Sequence, residues 1–228
     1  MEIEQELFPP DKPQKLGFLE LCYGILVSPK ATMKRVGETE PLLHALTILV
    51  SLSILNTIVN FFIVMPQTFQ QVTNDLQELR QIAAIAGSPS FLMVLTLGGI
   101  VGGIISWFLK AGIFQLLAEL AGGKGRAMGV MAMLGCAALP TIFTIPIQVI
   151  GAALGWNSLF LGLLTFPFVL WAQLYLPVVG LRAVHSISTV RAALVVLAPV
   201  VIIFGLLITA AIVLGVFFAG IASQLTGL

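Results

Sequence analysis

One lysine, Lys110, interrupts an apolar stretch that begins at Phe91 and resumes beyond it toward Ala121. An amine in such a setting either snorkels to the headgroups or takes part in holding a ligand or ion. At about 100° per residue, Lys110 shares one helical stripe with Gly99, Gly103 and Ser106. Gly98/Gly102 and Gly99/Gly103 form two overlapping pairs of small residues, one helical turn apart. Such pairs strip side chains from a face and admit a second helix closely. Gly98, Gly99, Gly102, Gly103 and Ser106 are therefore expected to pack the bundle or a homodimer. Asn56 and Asn60, one turn apart in an earlier apolar run, are placed to hydrogen-bond across one helix interface, bonds worth about 0.6–2 kcal/mol in lipid. Together with Lys110 they are the candidate intramembrane polar site.

The remaining polar residues cluster in two short segments. Gly122-Gly123-Lys124-Gly125 lacks the spacing and the preceding strand of a phosphate-binding loop, so it reads as a tight turn that carries a charge. The segment from Gly180 to Arg191 holds Arg182, His185 and Arg191, and Ser188 can cap the helix that follows. Lys124, Arg126, Arg182, His185 and Arg191 are expected to face the leaflet, where they meet anionic lipid or simply set orientation. No catalytic set emerges, because the acidic residues sit mostly in the N-terminal tail. No cofactor and no metal site are expected, since a metal needs several His, Cys or carboxylate ligands. Cys22 and Cys136 read as two reduced thiols. A net charge of +1 offers nucleic acid no electrostatic attraction.

These residues are positioned by apolar helices. Of the 228 residues 58% are hydrophobic and 9% charged, with a mean hydropathy of +1.07. Soluble domains carry roughly 25% charge; a polytopic membrane protein reconciles this composition with order. Residues 1–15 are acidic and proline-bearing and read as a disordered tail. Residues 16–40 read as two short interfacial helices, the second opened by Pro29 and capped by Ser28. The membrane domain, 41–228, contains five apolar spans at about 42–65, 91–121, 128–153, 158–180 and 192–220. Pro66 to Ser90 has apolar residues at spacings of three and four, the mark of an amphipathic outer-loop helix. The second span exceeds the roughly 20 residues a bilayer requires. It either tilts or emerges as an interfacial extension beyond Lys110. The fold class is therefore all-α, a five-helix integral membrane protein.

Cytoplasmic segments retain lysine and arginine. Lys12, Lys15, Lys30, Lys34 and Arg35 precede the first span; Lys124 and Arg126 follow the second; Arg182 and Arg191 follow the fourth. The intervening segments hold only Arg80, offset by Asp75 and Glu78. This alternation places the N-terminus in the cytoplasm and the C-terminus outside, in a membrane expected to be the bacterial cytoplasmic (inner) one.

Four stretches carry a resemblance to a known family: Tyr23-Gly-Ile-Leu-Val-Ser-Pro29, Leu120-Ala-Gly-Gly-Lys-Gly125, Leu134-Gly-Cys-Ala-Ala-Leu-Pro140, and Gly180-Leu-Arg-Ala-Val-His185 with Ser188-Thr-Val-Arg-Ala192. In this order they resemble the Yip (Ypt/Rab-interacting protein) membrane-domain family, in its bacterial branch. The resemblance implies five membrane helices and a cytoplasmic N-terminus. Eukaryotic members act in vesicle traffic with small GTPases; this chain has no Asp-Leu-x-Gly-Pro motif and reads Gly135-Cys136 where Gly-Tyr is the family pattern. The expected function is non-enzymatic: organising membrane lipids or partner proteins, or a second copy, at the cytoplasmic leaflet. The rival readings are a small transporter or channel, with Lys110 facing an aqueous cavity, and an accessory subunit of a membrane complex.

Overall fold

The computed structural model describes residues 17–60, 63 and 88–226. The N-terminal tail and the helix expected over Pro66–Ser90 lie, but for its last residues, outside them. Regular structure among the described residues is helical throughout: α1 (Phe18–Val27), α2 (Pro29–Thr39), α3 (Leu42–Val59), α4 (Pro89–Leu120), α5 (Ala127–Ala137), α6 (Thr144–Ala153), α7 (Ser158–Leu170), α8 (Leu176–His185) and α9 (Thr189–Thr226). Merging α5 with α6 and α7 with α8 leaves five helical passes long and apolar enough to cross a membrane.

Proline sets the two irregular passages. Pro140 has no N–H, so the carbonyl four residues back loses its helical partner. The chain tightens there into a 3-10 turn, Leu139–Phe143. Within it, the Thr141 N–H and hydroxyl both donate to the Ala138 carbonyl, at 3.0 and 2.8 Å. Pro177 likewise cannot donate to Gln173. Immediately before it the helix widens to a π turn, Trp171–Tyr175, in which Leu176 N–H donates to the Trp171 carbonyl. α4, in contrast, runs 32 residues without a break at Lys110. At 1.5 Å per residue that is about 48 Å, well beyond the roughly 30 Å hydrocarbon core. Its start is capped by Ser88, whose Oγ accepts from Phe91 N–H at 3.4 Å.

The core sits at the end of the bundle that carries the basic turns. α5 is its axis: it is buried along most of its length and packs on α3, α4, α2 and α8. α1 and α2 fold back onto the bundle, burying Leu21, Ile25, Met33 and Val36 completely. Ser28 opens α2 without a side-chain cap; instead Thr32 Oγ1 donates to the Ser28 carbonyl at 3.0 Å. Arg35 bridges to Glu20 at 2.6 Å, and this hydrogen bond holds the Glu20 carboxyl below its ordinary range. Both partners are exposed, so the pair orients α1 on α2 and adds little to stability.

Close helix approach occurs at glycines other than those expected. No atom of a neighbouring element lies within 4 Å of where a Cβ would stand on Gly98, Gly99 or Gly102, and Gly103 would meet only Ser53 Oγ at 3.8 Å. Among the described residues this stripe therefore does not pack the bundle. Gly135 does: a Cβ there would stand 2.8 Å from both the Cβ and the carbonyl oxygen of Ala45. Gly180 gives way to Met133 in the same manner, and Gly129 to Val184. The seams they form join α5 to α3 and to α8.

Candidate functional site

The Gly122–Arg126 turn closes the α4–α5 connection against the end of α8. Gly122 adopts φ 87°, a left-handed conformation that glycine takes without strain. Gly125 N–H donates to His185 Nδ1 at 3.0 Å, and Lys124 N–H to the His185 carbonyl at 3.4 Å. An accepting Nδ1 places the proton of the neutral ring on Nε2. His185 is 2% exposed. The expectation that it faces the leaflet is corrected here: the turn folds over the imidazole and uses it as an internal acceptor. The other four cations of the expected leaflet-facing set are exposed but not gathered in one place. Arg126 pairs with Glu40 at 3.3 Å. Arg191 donates through Nη1 to the Ala121 carbonyl at 3.2 Å and so braces the same turn. Ser188 accepts from Arg191 N–H at 3.4 Å, capping the start of α9.

Arg182 instead joins two lysines from far away in sequence. A cavity of about 640 Å³ between α2, α8 and the start of α9 is lined by Lys30, Lys34 and Arg182, with Tyr175, Val178 and Val179 among its other walls. Lys30 and Lys34 are one turn apart on α2, so both amines project from one face. Among the described residues, none of those that line this cavity is acidic. Three cations without a counter-charge above a valine and tyrosine wall suit an anionic headgroup whose acyl chain runs down the apolar side. Sequence spacing shows the lysine pair, but its meeting with Arg182 depends on α2 folding back across α8.

The second constellation lies deeper. Two adjoining cavities of about 210 and 320 Å³ share Leu49, Ala138 and Gln173. Gly103, Ser106 and Lys110 line the first; Gly99, Ser53, Asn56, Thr57 and Thr141 line the second. The stripe read from the sequence is thus one face, but that face is the wall of a cleft. Lys110 Nζ donates to Gln173 Oε1 at 2.5 Å and stands 5.6 Å from the centre of the Phe114 ring. Among the described residues, Asn56 and Asn60 do not bond across a helix interface as expected. Their amides donate to carbonyls of their own helix, Leu52 at 3.1 Å and Asn56 at 2.8 Å. Asn56 lines the cleft; Asn60 is not among its lining residues. Gln173 is the residue that sequence reasoning missed, since a lone glutamine before a proline carries no motif.

No curated protein and no solved structure matches the chain. The profile of the Yip1 domain family matches residues 23–212, from the exposed Tyr23 of α1 into α9, and so takes in both constellations, four passes whole and most of the fifth. With that span matched, and with five apolar helices to cross the bilayer, the chain belongs to the Yip1 domain family of integral membrane proteins.

Proposed function

We propose that this Yip-type protein is non-enzymatic and gathers anionic lipid at the cytoplasmic leaflet. The observation that carries this reading is the pocket of Lys30, Lys34 and Arg182, which has no carboxylate among its described lining residues. Each lysine or arginine beside an anionic surface is worth about 1 kcal/mol. The three together therefore favour an anionic over a zwitterionic headgroup by roughly a hundredfold. Replacing all three by glutamine, and measuring by native mass spectrometry the lipid that the purified chain retains from mixed phosphatidylglycerol and phosphatidylcholine, is expected to abolish that preference. Equal retention of both lipids by the unsubstituted chain would sink the reading.

The same proposal sets the orientation. Lys30 and Lys34 precede the first span, Lys124 and Arg126 follow the second, and Arg182 and Arg191 follow the fourth, and the charge rule puts those segments in the cytoplasm. In a bacterial cell the membrane is then the inner one, with the N-terminus inside and the C-terminus outside. Single cysteines at Lys124 and Arg182, in a background lacking Cys22 and Cys136, are expected to label only after the membrane is made permeable to the reagent. Labelling of either one in intact cells would reverse the assignment.

A further inference from the structure

A separate set of residues, deeper in the bundle, carries a second site. Lys110 turns its amine inward from α4 to Gln173 of the π turn. Among the described residues its acceptor is a neutral amide, and none of those lining either cavity is acidic. An ammonium has three donors, and Gln173 takes one of them. With its Oε1 committed to Lys110, the Gln173 side chain still has its NH₂ to offer to the cleft. The hydroxyls of Ser53 and Ser106 add further donors to the lining. A charged residue within a spanning segment is expensive to keep, and its cost is ordinarily met by a partner of opposite sign.

The backbone around the cleft is unusual at the same level. Thr141 belongs to the 3-10 turn and Gln173 to the π turn, so both irregular passages supply lining residues. π turns within helices occur often at functional sites. Toward the basic end the bundle is closed, with Phe114 at 3% exposure and Ala118 and Met133 at 0%. The cleft is a site with a floor, not a continuous pore.

We propose that this cleft binds a single oxyanion, the phosphate of a lipid headgroup or a free phosphate ion, with Lys110 as its counter-charge and Gln173 as the residue that orients the amine. The test uses the full chain in nanodiscs. Trp107 lines the same cavity and serves as reporter once Trp156→Phe and Trp171→Phe have removed the other two tryptophans. In one arm inorganic phosphate is titrated into discs of digalactosyldiacylglycerol, a bilayer lipid without phosphate; in the other, phosphatidylglycerol replaces that lipid stepwise. The expected result is a saturable change in Trp107 emission in one arm. Affinity should fall about tenfold or more in Lys110→Met and persist in Lys110→Arg. It should be unmoved by the Lys30, Lys34 and Arg182 glutamine variant, which separates this site from the leaflet pocket. Response in the first arm assigns a free ion, and response in the second a headgroup. No change in either arm, or the same change in Lys110→Met, overturns the proposal. Should the tryptophan-depleted chain fail to fold, the melting temperature of the chain with all three tryptophans, with and without the same two ligands, reads the same comparison.

Discussion

Gly135→Leu is expected to cost the fold about 3 kcal/mol or more, while Gly102→Leu on the next helix costs less than about 0.5 kcal/mol. The contrast rests on what each new side chain would meet. At Gly135 even a methyl group would stand 2.8 Å from the Ala45 carbonyl oxygen. Backbone cannot rotate away as a side chain does, so α3 and α5 must separate along their seam. At Gly102 there is open space, and leucine is as apolar as the lipid that fills it. Gly180→Ala should fall between, because the obstacle there is the flexible Met133 side chain. Thermal unfolding of the three variants in one detergent checks the order. A Gly102 variant that melts as early as the Gly135 variant would return the packing role to the four-glycine stripe.

That order is also a measure of what the sequence discloses. Each span announces itself because a membrane helix satisfies its own backbone and needs only about 20 apolar residues in a row. Proline is a weaker sign: Pro140 and Pro177 stand at irregular turns, but Pro167 and Pro199 lie inside helices. What stays hidden is pairing. Gly98 through Gly103 look like a packing motif, and Gly135 looks like one small residue among many in α5. Only the approach of Ala45 distinguishes them. The stripe of Gly99, Gly103, Ser106 and Lys110 was legible as a face, but its occupant was not. A cleft wall and a helix contact both favour small residues, the first to leave room and the second to remove it. Lys30 and Lys34 were legible as a pair one turn apart. Arg182 joins them only because α2 doubles back over α8, a contact that no local pattern records. His185 was misplaced for a related reason. A histidine beside two arginines near a span end looks solvated until the Gly122–Arg126 turn is seen to close over it.

His185→Ala should accordingly destabilise the chain by about 3–5 kcal/mol, through two effects of known sign. Gly125 N–H loses its acceptor, at about 1–3 kcal/mol for a buried donor left unpaired. The fully buried ring leaves a cavity, adding a cost like that of other large-to-small core changes. His185→Asn should recover part of the first effect, since an amide oxygen can accept, and little of the second. Gly125→Val attacks the same contact from the other side, because its Cβ would stand 2.6 Å from the Val184 carbonyl oxygen. If the turn acts as the clasp between α4, α5 and α8, His185→Ala and Gly125→Val will lower the melting temperature together and expose the Gly122–Arg126 turn to protease. Arg126 and Arg191 offer a competing account. Their bonds to Glu40 and to the Ala121 carbonyl also brace the turn, but both side chains are exposed, where such contacts are worth little. An unchanged melt in His185→Ala, with a lowered one in Arg126→Ala and Arg191→Ala, would show that the exposed braces hold the turn and the buried imidazole does not.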